Sequence, residues 1–222
     1  MTTVNLIITG PIRPNAEYVN NLILYFKTLI KSDSKVFLGY WENEGDDFSS
    51  KIKNVDHFIP CIEPDDEWIY KNISSRTIQQ KQLNGKIEHW TPRLYKMFSG
   101  IKQIVYYIDN NKLIHPNSIA LRIRTDLFVD NCYQKEFNTL ICDIQQNTVY
   151  NRVRNLLYHN LLCIVNQSTE IVPQCDWFTI SSYDIFKKIW YIANDNDYNE
   201  LVKNLYNAED IIRYKSQQYK GK

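Results

Sequence analysis

A strand, a helix and a second strand fit into the first 41 residues of this chain, and that compressed alternation constrains the fold more than any other feature. Val4 to Thr9 is an apolar run closed by Gly10-Pro11, which reads as a strand feeding a loop. Ala16 to Ile30 repeats apolar residues near helical spacing (Val19, Leu22, Ile23, Phe26, Ile30), and Lys31 follows where a cation suits a helix C-terminus. Lys35 to Trp41 is again strand-like, and Glu42 to Phe48, with Gly45 and several acids, is loop-like. So short a return predicts a right-handed βαβ unit with parallel strands.

The alternation continues. Val55 to Ile59 reads as a third strand stopped by Pro60, followed by an acidic loop, Glu63-Pro64-Asp65-Asp66-Glu67. Ser74 to Leu83 and Pro92 to Ile108 read as helices, the second with Thr91 as N-cap and Pro92 at its first position. A strand is expected over Asn117 to Val129, then a polar stretch and β-like runs at Leu161 to Val165 and Trp177 to Ser181. Helices from Asp184 to Ala193 and from Ala208 to about Gln218 close the chain, and the Lys-rich tail from Lys215 to Lys222 is expected to fray. No repeat and no Pro/Gly/Ser linker interrupts the 222 residues, which suffice for one sizeable core. The expectation is an α/β fold in a single domain over residues 1–222.

Composition excludes several function classes. Hydrophobic residues at 44% and charged residues at 23% describe a globular chain rather than a disordered one. Lys and Arg number 26 against 25 Asp and Glu, so no global field draws the protein to nucleic acid or to an anionic membrane. Charge must act locally. No basic leader, cleavage site or apolar run long enough to span a bilayer is visible, so a cytoplasmic protein without a transmembrane segment is expected. Five cysteines with no C-x-x-C spacing argue for free thiols, and the four histidines form no metal motif. Only six glycines are present, and neither G-x-G-x-x-G nor a P-loop passes through them, which removes dinucleotide redox chemistry and P-loop NTPase activity.

The strand at Asn117 to Val129 carries the densest chemistry. Period-2 alternation puts Ile119, Leu121 and Ile123 on one face and Arg122, Arg124 and Asp126 on the other. Three charges on one strand face are costly unless solvated or engaged with a ligand. Two explanations compete: an edge strand with a surface ion-pair ladder, or a ligand site at the carboxyl end of a strand in an open α/β sheet.

Ile123-Arg124-Thr125-Asp126-Leu127 resembles the R-T-D-L form of the metal and sugar-nucleotide motif in glycosyltransferases of the GT-A class, specifically the WavE-like lipopolysaccharide-synthesis family. Further blocks resemble that family in the same order. They are Ile8-Thr9-Gly10-Pro11-Ile12, Phe37-Leu38-Gly39-Tyr40-Trp41-Glu42, Ser75-Arg76-Thr77-Ile78-Gln79, Cys175-Asp176-Trp177-Phe178-Thr179-Ile180 and Ala208-Glu209-Asp210. Tyr95-Lys96 is similar to a Y-K pair of related transferases. The resemblance implies a GT-A-like domain, a Rossmann-like open mixed sheet flanked by helices. It also implies a glycosyltransferase, inverting, that moves a sugar from a nucleotide-diphosphate donor to a glycan or glycolipid acceptor in polysaccharide biosynthesis. It assigns donor contacts to Thr9, Gly10, Pro11, Arg13, Tyr40, Arg76, Lys96 and Arg124, and a divalent metal, Mn2+ or Mg2+, to Asp126.

One departure from the pattern bears on mechanism. The usual Asp-x-Asp offers two carboxylates to a cation that offsets leaving-group charge, whereas here Arg124 takes the first position. Arg122 or Arg124 is itself suited to pair with diphosphate in bidentate fashion. A literal Asp-x-Asp at Asp195-Asn196-Asp197 sits in an Asn-rich stretch and reads as a solvated loop. An inverting transferase also needs a general base. Asp176, which precedes a β-like run, is preferred, and Glu209, at a helix start, is its rival. The competing function, motivated by the lost first Asp, is a non-catalytic carbohydrate-binding or scaffold relative.

Overall fold

The structure is a computed structural model that describes residues 3–30, 34–44, 50–73, 81–83, 86–88, 90–127, 162–163, 178–205 and 207–218. Its strands are β1 (Val4–Thr9), β2 (Val36–Trp41), β3 (His57–Cys61), β4 (Lys81–Leu83), β5 (Lys86–Glu88), β6 (Ile119–Arg124), β7 (Leu162–Cys163) and β8 (Phe178–Ser182). Six of them form one sheet in the order β3-β2-β1-β6-β8-β7, while β4 and β5 make a separate antiparallel pair. β1 runs parallel to β2 and β6, β2 parallel to β3, and β8 antiparallel to β6. The fold is α/β, an open mixed sheet flanked by helices.

Every residue of β1 is buried, as expected where helices cover both faces of parallel strands. Helix α1 (Ala16–Leu29) covers one face. Its start is set by Asn15, whose side chain accepts the Tyr18 N–H at 2.8 Å, with Glu17 in the first turn and Lys27 in the last. Val19, Leu22, Ile23 and Phe26 share its inner stripe and pack on Leu6, Ile8, Leu38 and Leu121. The opposite face, built on Ile7, Phe37, Ile59 and Ala120, is covered by α2 (Asp66–Asn72), α3 (Trp90–Asn110), α4 (Tyr183–Trp190), α5 (Asp195–Val202) and α6 (Ala208–Gln217). Gly39 lets α3 lie close on β2, because a Cβ there would stand 2.2 Å from Ile104 Cδ1. No helix among the described residues is long and apolar enough to cross a membrane.

Four expectations are corrected. β3 continues through Pro60 to Cys61, because β3 is the sheet's edge strand and pairs only with β2, so the missing N–H interrupts no second ladder. The acidic stretch after it is not all loop: Asp65 accepts the Trp68 N–H at 2.9 Å and starts α2, with Asp66 and Glu67 in the first turn. Lys81–Leu83, expected at the end of a helix, is β4. Asp195-Asn196-Asp197 opens α5, capped by Asn194 accepting the Asp197 N–H at 2.9 Å.

Lys215 on α6 gives this packing a pH signature. Its ammonium donates to Tyr191 O at 2.7 Å, and burial, only partly countered by Asp197, lowers its pKa from 10.5 to about 8. Between those values the unfolded chain binds the extra proton, so this group's contribution to stability grows as pH rises and is lost as pH falls through about 8. Lys215→Met removes the titration. The stability advantage of the variant over the parent is expected to shrink as pH rises through this window in urea unfolding. A pH-independent difference would remove Lys215 from the linkage.

Candidate functional site

The carboxyl ends of β1, β2, β3 and β6 open into a cleft of about 1000 Å³. Strand order reverses there, because the chain leaves β1 toward β2 and β3 on one side and returns as β6 on the other, which is where open α/β sheets offer a crevice. Its walls come from the first half of α3, from Asp66 and Tyr70 of α2, and from Asn207, Ala208 and Glu209 at the start of α6. A smaller hollow of about 480 Å³ beside Ile59 and Pro60 is lined by tyrosines, amides and Lys102, without a carboxylate.

The loop after β1 is held by its neighbours. Gly10 has φ +115°, a conformation that L side chains rarely adopt. Thr125 donates its N–H to Thr9 O at 3.2 Å and its hydroxyl to Pro11 O, tying this loop to the turn after β6. Glu44 fastens the other side, accepting the Ile12 N–H at 3.1 Å and the Trp41 N–H at 3.3 Å. Burial pushes the Glu44 carboxyl above its ordinary pKa, with both backbone hydrogen bonds and the Arg13 charge acting against that rise. Thr9, Gly10, Pro11, Arg13 and Tyr40 all line the cleft.

β6 does not lie at an edge; it sits between β1 and β8, so the surface-ladder explanation of its charges is corrected. The alternation itself holds, since Ile119, Leu121 and Ile123 pack with α1 while Ala120 faces the other core. Arg122 is 0% exposed. Its Nε donates to Thr9 Oγ1 at 3.0 Å, and its guanidinium lies 4.3 Å from the Trp190 ring centroid, so hydrogen bonding and the ring's negative face stabilise the buried charge. Arg124 donates to Asp126 through Nε and Nη2, each at 2.8 Å, a two-point fork between half-buried groups.

Lys96 also lines the cleft, but carboxylates already hold it: Nζ lies 2.7 Å from Glu63 Oε1 and 2.6 Å from Asp66 Oδ1. Burial alone would lower its pKa, yet the two acids prevail and raise it. Glu63 shows the converse: burial pushes it up, but hydrogen bonds from Lys96 and Asn43 prevail and lower it. Tyr95, the partner of Lys96 in sequence, packs in the core beside Tyr198 and donates to Asp195 at 2.6 Å. That bond gives Asp195 a structural role.

Glu209 reaches the cleft from the first turn of α6, whose N-terminus is capped by Asn207 accepting the Asp210 N–H at 2.7 Å. Arg76 and Asp176 lie outside the described residues. Glu44, Glu63, Thr125 and Arg93 line the cleft without having been singled out in the sequence. Only Thr125, inside the R-T-D-L block, carried a local signal; the others are brought in by the sheet order.

The chemistry of Asp126 decides whether a divalent cation fits. Both of its oxygens accept from one guanidinium, and among the described residues no three His, Cys, Asp or Glu side chains are grouped to hold an ion. A divalent cation at Asp126 would have to displace the Arg124 hydrogen bonds and complete its shell with water and ligand phosphate oxygens. Compared with known proteins, the chain matches no family model, no curated protein and no solved structure.

Proposed function

We propose that the protein is a glycosyltransferase of GT-A-like build, transferring a sugar from a nucleotide-diphosphate donor to a glycan or lipid-linked acceptor. One observation carries this reading: Thr9, Gly10, Pro11, Arg13, Tyr40, Lys96, Arg124, Asp126 and Glu209, far apart in sequence, line one cleft at the strand ends. They combine guanidinium groups suited to phosphate with a carboxylate, Glu209, suited to proton transfer. The WavE-like resemblance supplies the substrate class, and the open mixed sheet is compatible with it. Lys96, a donor contact in this reading, lines the same cleft. Held by Glu63 and Asp66, it organises the β3 side of the cleft.

The test is incubation with a panel of nucleotide sugars, following donor hydrolysis and transfer to oligosaccharide or glycolipid acceptors, with and without Mn2+ or Mg2+. Release of nucleoside diphosphate from one donor is expected. Saturable donor binding without turnover would replace the enzyme by a binding module, and failure to bind any donor would sink both.

A further inference from the structure

We propose that the cleft binds the diphosphate of its ligand through the Arg124 guanidinium, with Asp126 positioning Arg124 rather than ligating a divalent cation. The inference rests on the transferase reading for the identity of the ligand and departs from that reading's expected metal.

Arg124 and Asp126 are 29% and 35% exposed, and a pair so open contributes little to stability. Its geometry matters more, because two parallel hydrogen bonds of 2.8 Å fix the plane of the guanidinium at the cleft wall. A monodentate contact would leave that plane free to turn. Arg122, two residues earlier on the same strand face, lines the same cleft and is fixed more firmly, by Thr9 Oγ1 at one edge and the Trp190 ring against its face. Two oriented guanidinium groups on successive same-face positions of β6 stand where the R-T-D-L block would otherwise deliver a cation. Arg124, partly exposed at the cleft wall, presents its guanidinium to phosphate oxygens, while the fully buried Arg122 adds fixed positive charge without touching the ligand, and neither charge has to be assembled when a diphosphate leaves.

The rest of the cleft is polarised in keeping with this. Glu44, Glu63 and Asp66 outnumber Lys96 and the nearby Arg13 on the β2 and β3 side, whereas Arg122 and Arg124 outweigh Asp126 at the end of β6. A dianion is therefore drawn to the β6 side.

Inorganic pyrophosphate is the probe, titrated calorimetrically into the whole chain with EDTA present and again with Mn2+ in excess. A second titration uses Mn2+ alone. Pyrophosphate is expected to bind in EDTA, and Mn2+ alone to show no saturable site. Arg124→Lys keeps the charge but loses the fork, and should weaken pyrophosphate binding roughly 10–100-fold. Asp126→Asn removes a negative charge that opposes the anion, so a loss of affinity in this variant, with folding intact by circular dichroism, marks loss of the oriented guanidinium, whereas a gain overturns the positioning role of Asp126. Binding of pyrophosphate only with Mn2+, or a stoichiometric Mn2+ site lost in Asp126→Asn, overturns the inference and leaves the transferase reading standing. Equal affinity in the parent and Arg124→Lys also overturns it. No binding under either condition overturns both.

Discussion

Exchanging Glu209 for glutamine is expected to lower sugar transfer by roughly 10²–10⁴-fold, the range lost with a positioned general base. Glutamine keeps the size and hydrogen-bonding capacity of the side chain and removes only its ability to take a proton. Donor affinity should therefore be largely retained. The competing role for Glu209 is to place negative charge in the first turn of α6, worth about 0.3–1 kcal/mol. Asp210 shares that turn and Asn207 caps it, so the melting temperature should hardly move in either case. Steady-state transfer and donor binding are measured side by side in Glu209→Gln and in Asp176→Asn. Loss of turnover with donor binding kept names the base. If Asp176→Asn alone shows it, the proton acceptor lies on the approach to β8; if neither does, the inverting chemistry is wrong.

Strand-by-strand layering was legible because buried parallel strands must be continuous apolar runs, and Val4–Thr9 carries that mark without help from tertiary contacts. The start of α1 was legible for the same local reason, an apolar stripe with acid early and base late. What failed was punctuation. Pro60 reads as a stop, but whether proline ends a strand depends on which edge of the sheet it occupies, and that is a property of the assembled order β3-β2-β1. Asp65-Asp66-Glu67 and Asn194-Asp195 looked like polar loops, although an Asx residue followed by acids is also the chemistry of a helix start. The Asn84-Gly85 dipeptide, directly after the helix expected over Ser74 to Leu83, is a hairpin signal in the sequence. In the cleft, charges on β6 were legible from alternation, but the partners that define their roles were not. Thr9 lies 113 positions from Arg122, and Glu63 lies 33 from Lys96. No local pattern specifies such pairs; the sheet order does.

Trp190→Ala is expected to produce the largest loss of stability in the molecule, about 3–5 kcal/mol from the cavity it leaves. Trp190 ends α4 fully buried, with Phe98 at 5.9 Å and Phe186 at 6.4 Å between ring centroids. For a chain of this size that loss corresponds to a fall in melting temperature of roughly 6–20 °C. Packing alone does not exhaust its role, because its ring face carries the Arg122 guanidinium, and a buried charge that loses one of its contacts is costly. Two further variants separate the contributions. Trp190→Phe keeps a ring face and gives up an indole N–H that has no hydrogen-bond partner among the described residues, whereas Trp190→Leu keeps apolar bulk without the face. The leucine variant should be the less stable by roughly 0.5–2 kcal/mol, the range of a desolvated cation–π contact. In an Arg122→Met background that difference should vanish, since no cation remains to sit on the ring. Persistence of the full difference there would assign it to packing. If Arg122 helps to bind phosphate, Trp190→Leu should also weaken pyrophosphate binding more than Trp190→Phe does, at temperatures where both variants are folded. Stability and ligand affinity then trace to one contact, the ring that fixes the guanidinium beneath the cleft.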